Sequence, residues 1–470
     1  MKIEKQASDQ NLLLDGAVSP GKVIWMLAWP VILDQTFQTM VNYVDSAMVG
    51  SLGASATAAV AVNMSTIWLV NGMMYAFGAA FGVLAARQIG ARNLPEVQRI
   101  VKQALLAVIA SSVVVTIAMN GVASSLPIWI GVEKEVVPEA IVYMRYIALA
   151  YPFTITFMYC ANLIRSSGDT RSPLICNIIT NLVNVVGNFL LIFPTRTLSV
   201  AGIEFTMPGA GLGVKGAAIS TAVATALSGI IVLSVLLIRK SPLKITTHGG
   251  WRPDGRILRQ ALRIGAPLAM ERATLSLGQI TLTVLVTRIG TIALAAHHLA
   301  ITAESITYMP ASGFSIAATT LVAQSLGAEK RELALKFAKR CLGYGVLLMT
   351  FTGAAMFIFA HELMAFFTVD AQVIALGAQV LRIEAFAEPF FAISIVTSGI
   401  LRGAGDTKWP FIFSLIGMWV VRLFPASILV LVLGLGLEAA WSCMVADLVV
   451  RGVLNLVRFT RGRWMDSWKG

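Results

Sequence analysis

The chain has 470 residues, of which 57% are hydrophobic and only 13% charged, and its formal net charge is +12. Soluble domains average about 25% charged residues, so this composition excludes an ordinary soluble protein. Apolar runs of about twenty residues or more recur along the whole chain, and each can cross a hydrocarbon core of about 30 Å. The runs do not alternate in polarity as the strands of a membrane barrel do, so we expect a helical integral membrane protein.

In chain order, the apolar runs predict twelve transmembrane helices. They are expected near residues 23–48, 56–84, 101–126, 136–163, 173–193, 214–238, 264–288, 292–324, 337–360, 374–401, 410–433 and 437–458. An even number of crossings places both termini on the same side of the membrane. The four cysteines are scattered without metal-ligand spacing, so we expect neither disulfides nor a metal site.

The distribution of Lys and Arg predicts the orientation. With the N-terminus inside, 27 of the 36 basic residues fall on inner segments or the adjoining helix ends, and only four fall on outer loops or the helix ends beside them. This asymmetry fits the positive-inside rule, so we expect a multi-pass protein of the cytoplasmic (plasma) membrane with both termini cytoplasmic. The net charge of +12 then follows from topology and does not indicate nucleic-acid binding.

The two halves of the sequence repeat at a fixed offset. Arg165 and Arg402 lie 237 residues apart, and other residues repeat at the same spacing. These further pairs are Gly168 and Gly405, Asp169 and Asp406, Pro173 and Pro410, Pro30 and Pro267, Gly53 and Gly290, and Gly90 and Gly327. Later glycines match at 223 residues, so the first half carries 14 extra residues after the fifth helix.

The repeat predicts an all-α polytopic membrane protein with two parallel six-helix repeats around a central cleft. We expect an N-terminal tail (1–22), a first lobe (23–238), a basic linker (239–263), a second lobe (264–458) and a C-terminal tail (459–470). Six helices per half let both halves enter from the same face. Rocking of one half against the other would open the cleft to alternate sides, which is typical of a secondary transporter.

Two polar turns belong to the repeat, LIRSSGDTRSP at 163–173 and ILRGAGDTKWP at 400–410. Glycine can end a helix in the left-handed conformation, and aspartate, threonine and proline are suited to starting the next helix. The arginine could reach lipid phosphate or the nearby aspartate. One interpretation is a structural turn at the inner surface; the other is a hinge or a charge pair between the halves. The residues concerned are Arg165, Gly168, Asp169, Arg402, Gly405 and Asp406.

With these turns in view, the chain resembles the multidrug and toxic compound extrusion (MATE) family over essentially all twelve helices. Further motifs carry the resemblance: WPVIL at 29–33, YVDSAMVGSLG at 43–53, ARQIGAR at 86–92 and MPASGFSIAATTLVAQSLGA at 309–328. The resemblance implies export of small amphiphilic, often cationic, organic compounds, driven by influx of H⁺ or Na⁺. It implies no cofactor and no ATP, and the chain has no GxxxxGK[ST] motif. We expect a monomer in the lipid bilayer without a nucleic-acid partner.

Ionisable groups inside membrane helices are costly and are functional candidates by default. Asp45 lies in the outer half of the first helix, where the resembled family carries an aspartate that binds the coupling cation or proton. Asn184 and Asn188 share one face of the fifth helix with two further asparagines, and with Thr221 they resemble family ligand positions. Part of the family has aspartate in place of Asn188. The alternative for each residue is a packing hydrogen bond.

Other acids are candidates for coupling or for meeting substrate charge. Asp34 and Glu271 are repeat mates, each four residues after a proline, while Glu304 and Glu388 lie in helices 8 and 10. Another part of the family uses a glutamate in helix 7 and an aspartate in helix 10 as a cation site, but Glu271 and Glu388 do not match those positions. A salt bridge to the neighbouring Arg272 is the alternative for Glu271.

Aromatic side chains and methionines adapt to varied amphiphiles. Five of them could line the cleft, although packing or contact with lipid is the alternative: Trp68, Tyr75, Phe153, Tyr308 and Met309. The adjacent His297 and His298 are expected at the membrane interface.

Three other functions are alternatives for such a chain. A flippase for lipid-linked saccharides, from the same superfamily, would need more intramembrane arginine or lysine to meet pyrophosphate, and Arg145, Arg272, Arg382 and Arg422 keep it open. A membrane-embedded enzyme would need a His/Asp or Cys/His constellation, and none is evident, so we expect no catalytic residues. A passive channel is disfavoured by the two halves and the buried acids.

Overall fold

The computed structural model describes residues 18–200, 203–238, 242–243 and 251–467. Its fold has twelve transmembrane helical elements, as the sequence predicts. They are α1 Pro20–Gly50, α2 Ala54–Gly90, α3 Leu94–Ala123, α4 Val137–Ser166, α5 Arg171–Leu191, α6 Gly213–Ile238, α7 Gly255–Thr287, α8 Thr291–Gly327, α9 Arg331–Ile358, α10 in two segments (Ala371–Ala385 and Glu388–Gly403), α11 Lys408–Val432 and α12 Leu437–Thr460. Short helices at Leu126–Ile130 and Ala360–Phe367 lie in the loops.

The seventh and tenth helices differ most from the prediction, and α2, α3 and α9 each extend six or seven residues further than predicted at the end of the bundle where α1 and α7 begin. The seventh was expected to start at residue 264, but α7 begins at Gly255, where the Asp254 side chain accepts hydrogen bonds from the N–H groups of Arg256 (2.9 Å) and Ile257 (3.4 Å). Basic residues in these first turns interrupt the apolar run, so hydropathy places the start too late. The tenth was expected to be continuous over 374–401, but α10 breaks at residues 386–387, just before Pro389. Pro389 has no N–H to donate to the carbonyl of Ala385, the last residue of the first segment. Its repeat mate Pro152 nevertheless lies inside the unbroken α4.

The 14 extra residues of the first half contribute to a β-hairpin after α5. Strand β1 (Pro194–Val200) pairs antiparallel with β2 (Ile203–Ala210), and Pro194 lies opposite Ala210. The sequence predicts the insertion but not the strands. The fold class is otherwise all-α, as expected.

The backbone conformation of the two halves repeats at the same offset as the sequence. Residues 237 apart share a positive φ even where neither is glycine: Arg92 (58°) matches Glu329 (61°). The same holds for the glycine pairs Gly53 and Gly290, and Gly168 and Gly405. The two halves are therefore duplicated units in conformation as well as in sequence.

The two halves exchange the beginnings of their first helices. The start of α1, through Val23, Ile24 and Leu27, is buried in a core formed by α8, α9 and α10 of the second half. The start of α7, through Ile257 and Ala261, is buried in the core of the first half. We call the end of the bundle where α1 and α7 begin the basic end, and the other the opposite end.

At the basic end, the halves touch through equivalent glycines. A side chain on Gly90 would collide with the Gln324 carbonyl oxygen, and one on Gly327 would collide with the Arg87 carbonyl oxygen. The Gln324 amide also donates to the carbonyl of Ser166 at 2.7 Å. Backbone-to-backbone contact of α2 with α8 thus closes the basic end.

Candidate functional site

The first candidate site surrounds Asp45, where α1 meets α5. The Asn188 amide donates to Asp45 Oδ1 at 2.6 Å. With its nitrogen facing α1, the Asn184 amide donates to both carboxylate oxygens at 2.9 Å, and its oxygen accepts from the Thr221 hydroxyl at 3.2 Å. This amide orientation is the one that satisfies the hydrogen-bond network. The structure therefore brings together all four residues that the first-half prediction names.

The α5 side of the site is buried and packed against α6. Asn184 and Asn188 are buried at 5% and 1% exposure, whereas Asp45 is half-buried, so the carboxylate is the accessible member. The Ser220 hydroxyl of α6 donates to the Asn184 carbonyl at 2.8 Å, and the absence of a side chain at Gly187 lets α6 approach α5 closely.

The side-chain atoms of this site that could bind a ligand are mainly oxygens. The side-chain oxygen of Asn188 is buried without a hydrogen-bond partner among the described residues. Together with the Asp45 carboxylate and the Thr221 hydroxyl, it forms an oxygen-rich group, which suits a proton or a hard cation such as Na⁺. No cluster of three His, Cys, Asp or Glu side chains with metal-ligand spacing occurs in the described part of the chain.

Asp34 forms a second polar centre nearer the basic end. It accepts from the Arg165 guanidinium at 2.9 Å and from the Asn177 amide at 2.5 Å. Arg165 therefore turns inward to α1 and does not pair with Asp169. That aspartate instead accepts from the N–H groups of Arg171 (3.1 Å) and Ser172 (3.0 Å) at the start of α5.

The equivalent centre of the second half is arranged differently. Glu271 takes the place of Asp34 and accepts from the Ser414 hydroxyl at 3.4 Å, and Ser414 takes the place of Asn177. Arg402, the mate of Arg165, is only 8% exposed yet makes no side-chain hydrogen bond or ion pair within the described residues. Asp406 in the following turn accepts from Arg458 at 2.9 Å. Burial raises the pKa of Asp406, and the bond from Arg458 opposes that shift.

A third group of acids is buried between α8 and α10. Glu304 and Glu388 lie here as the sequence predicts, and the Thr307 hydroxyl donates to Glu388 at 2.5 Å. Sequence reasoning missed Glu384, which is fully buried with both carboxylate oxygens lacking a partner in the described structure. The charges of Glu304 and Glu388 act on it, so it belongs to this group. A second acid four residues before Glu388 in the sequence could have revealed it.

Asp447 of α12 was also missed. It is fully buried and accepts from Arg422 at 2.9 Å and from Arg451 at 2.6 Å. Arg422 lies in a π-helical turn of α11, Ile416–Leu423, and such turns are frequent at functional sites. The spacing of four residues between Asp447 and Arg451 could have indicated this pair.

The five aromatic and methionine candidates do not form one site. Trp68 is 65% exposed, and Met309 is buried with its sulfur 3.9 Å from the Thr36 hydroxyl. Tyr308 packs edge-on against Phe391, with 5.7 Å between ring centroids. The other two lie elsewhere on α2 and α4, namely Tyr75 and Phe153.

The two adjacent histidines differ in exposure. His297 is fully buried inside the bundle, and its Nδ1 accepts a hydrogen bond of 3.1 Å from the Trp441 indole of α12. His298 is exposed. His297 is therefore a packing partner of the tryptophan, whereas an interfacial location stays a prediction.

Comparison with known proteins agrees with this architecture. The MatE family model matches residues 30–190 and 267–428, two segments whose starts are separated by the repeat offset. The chain is 29% identical to the Probable multidrug resistance protein NorM of Thermotoga maritima, over 94% of this chain and 93% of that protein. It is 24% identical to the Uncharacterized transporter YisQ of Bacillus subtilis, over 98% of this chain and 99% of that one.

Solved structures share the fold. A crystal structure of MATE in complex with MaL6 superposes with a TM-score of 0.89 at 21% identity, covering 98% of this chain and 99% of that chain. An outward-facing conformation of a multidrug resistance MATE family transporter superposes with a TM-score of 0.87 at 21% identity, covering 96% and 98%.

Proposed function

Because the chain belongs to the multidrug and toxic compound extrusion family, whose model matches both of its halves, we propose that it exports amphiphilic, often cationic compounds in exchange for H⁺ or Na⁺. The observation that carries the coupling step is the contact of Asp45 with Asn184 and Asn188. The name of the Thermotoga relative, a probable multidrug resistance protein, supports drugs as the substrate class.

Asp45 is suited to exchange an ion because it is half-buried, whereas the asparagines that contact it are buried. The asparagines are fixed on α5 and supply N–H donors that stabilise the ionised carboxylate. When a proton or Na⁺ binds, the charge on Asp45 is neutralised and these donor bonds weaken. The contact between α1 and α5 is then less stable, so ion binding is linked to movement of α1.

Alternating access requires that each end of the bundle can open. The halves meet at the basic end through Gly90 and Gly327, and separating these contacts would expose the central region to that side. We propose that the basic end faces the cytoplasm, because the excess of Lys and Arg lies there. Both termini are then cytoplasmic, and residues 1–22 and 459–470 flank the two lobes, which a linker at 239–263 joins.

The available driving force is sufficient for useful export. Moving one charge across 100 mV yields about 2.3 kcal/mol, which corresponds to roughly a 50-fold concentration ratio for each coupled charge. No ATP-binding loop is needed for this step.

The buried acids of the second half are a second place where a proton or substrate charge could bind. Thr307 lies between the two acids. Its hydroxyl donates to Glu388 of α10, and Glu304 precedes it by three residues on α8. Asp34 is already neutralised by its ion pair with Arg165, and Glu271 is buried against Ser414. Asp45 is half-buried and is met by the neutral amides of Asn184 and Asn188, so we assign the primary coupling role to Asp45.

A flippase for lipid-linked saccharides is the second candidate. It would need arginines free to bind pyrophosphate, but Arg422 is paired with Asp447 at 2.8 Å and Arg272 stacks over Tyr75 at 5.8 Å. Arg145 contacts the Ser124 hydroxyl at 3.3 Å. Arg402 forms no ion pair with a described residue, but the cavity that it lines, about 30 Å³ in volume, is too small for a pyrophosphate. These observations favour the drug exporter.

The test is efflux of ethidium from vesicles that contain the purified protein, under an imposed Na⁺ gradient or an imposed pH gradient. We expect export under one gradient, its loss in Asp45→Asn, and a decrease of about tenfold or more in Asn188→Ala, which removes one charge-assisted hydrogen bond. Glu135→Gln, an exposed acid at the same end of the bundle, is the control and should export normally. Normal export by Asp45→Asn would remove Asp45 from the mechanism, and absence of export with any gradient would favour the flippase.

A further inference from the structure

A small cavity lies at the basic end where the two halves meet. Its volume is about 30 Å³, room for roughly two or three water molecules at about 10–15 Å³ each. Organic ligands occupy pockets of about 300–1,000 Å³, so this cavity admits only a small species. It is lined by α2 and α4 of the first half and by α8 and α10 of the second.

Two arginines line the cavity, one from each half. Arg165 is already neutralised by Asp34, with N–O separation of 2.9 Å. Arg402 is buried, and its Nε has no partner among the described residues, nor does its side chain form an ion pair there. A buried charge without a partner strongly destabilises a fold, so the cavity next to Arg402 requires a compensating group.

The acids near Arg402 compensate its charge only in part. The negative charge of Glu271 attracts the guanidinium from beyond ion-pair distance, and the Glu271 carboxylate accepts its hydrogen bond from Ser414. Arg272 adds another positive charge next to the cavity by stacking over Tyr75 at 5.8 Å. Three arginines and two acids, Asp34 and Glu271, therefore surround this region, which leaves one positive charge in excess.

Other polar groups of the cavity keep donors to spare. The Tyr75 hydroxyl makes no hydrogen bond with any described residue, and the Asn162 amide uses only one N–H, on the carbonyl of Met158 at 2.8 Å. Arginine has five N–H donors and no acceptor. A small anion suits this lining, because it accepts hydrogen bonds and carries the compensating charge.

We propose that a monovalent inorganic anion of halide size, such as chloride, binds between Arg165 and Arg402 at the basic end. The anion accepts hydrogen bonds from Arg402 and Tyr75 and neutralises the excess charge. Because the two arginines belong to different halves, the complete site exists only while the basic end is closed. Chloride binding therefore favours the closed basic end over the open one.

The site is tested by equilibrium binding of radioactive chloride to the purified full-length protein, with gluconate keeping the ionic strength constant. We expect saturable binding that bromide displaces. Arg402→Gln should weaken the affinity about tenfold or more, as for loss of a charge-assisted hydrogen bond, and Tyr75→Phe should weaken it less. The matched control is Arg382→Gln, an exposed arginine of α10 whose one side-chain hydrogen bond to a described residue is to the Phe357 carbonyl, at 3.5 Å; it should bind chloride normally.

Binding by Arg402→Gln that equals the unsubstituted protein would overturn the proposal, as would the absence of saturable chloride binding altogether. If Arg402→Gln does not fold, Tyr75→Phe decides, because it removes only a hydroxyl group from a partly exposed ring. Unchanged affinity in Tyr75→Phe would then count against the site. The readout is binding, so it is independent of whether the protein exports drugs.

Discussion

Arg165 and Asp34 form an ion pair of 2.9 Å between α4 and α1, and both side chains are almost fully buried. Removing one partner of such a pair leaves an uncompensated charge. We expect Asp34→Asn and Arg165→Gln each to destabilise the protein by about 3–5 kcal/mol, measured as a loss of thermal stability in detergent.

The double substitution Asp34→Asn with Arg165→Gln should be more stable than the sum of the two single effects, because neither charge then lacks a partner. Asp169→Asn, in the turn that follows α4, leaves the ion pair intact and serves as the comparison. Additive losses in the double variant would show that the two charges do not interact.

Gly90 and Gly327 control how closely the halves approach. Alanine at either position would place a methyl group against a backbone carbonyl of the other half, which backbone atoms cannot avoid by rotation. We expect Gly90→Ala to disfavour the closed basic end, so that spin labels at the exposed positions Arg92 and Lys330 show longer distances.

Gly343→Ala is the control for this measurement, because nothing lies within 4 Å of the methyl group it would add. Combining Gly90→Ala with Gly327→Ala should increase the population with the longer distance. An unchanged distance distribution in the double variant would mean that the contact can relax without opening.

Asp447 holds two arginines together inside the second half. Its loss in Asp447→Asn leaves Arg422 and Arg451 as neighbouring like charges, and we expect a destabilisation of about 3–5 kcal/mol. Thermal unfolding followed by intrinsic tryptophan fluorescence measures it. Glu438→Gln, at the less buried start of the same helix, should change stability little.

Replacing all three charged residues with apolar ones provides the complementary measurement. A triple variant with leucine at Asp447, Arg422 and Arg451 removes the charges and their desolvation together, so it should recover much of the lost stability. A triple variant as unstable as Asp447→Asn would show that the shape of this network, and not its charge balance, stabilises α11 against α12.

The helices and their duplication could be predicted because membrane crossing imposes long apolar runs and a fixed offset preserves them. Two helix boundaries could not: α10 is interrupted at residues 386–387 before Pro389, whereas the equivalent Pro152 lies inside the unbroken α4, and α7 begins among arginines that hydropathy treats as outside the membrane. Helix ends depend on local capping, which Asp254 supplies to α7.

The candidate sites could be predicted where a polar residue is unusual in an apolar helix. Asp45 and the asparagines of α5 stand out in apolar helices, and the structure places them in contact. The pairing of Arg165 with Asp34, 131 residues apart in sequence, depends on tertiary packing. So does the absence of a partner for Arg402, whose sequence context is nearly the same as that of Arg165.

The exchange of helix beginnings between the halves also has a consequence for biogenesis. The inward-facing side chains at the start of α1, such as Val23 and Ile24, pack on segments about 290 residues later in the chain. Contacts so distant in sequence form late. During synthesis α1 must therefore remain in the membrane without its final neighbours until the second half is inserted, and the first half made alone would lack the surface that receives it.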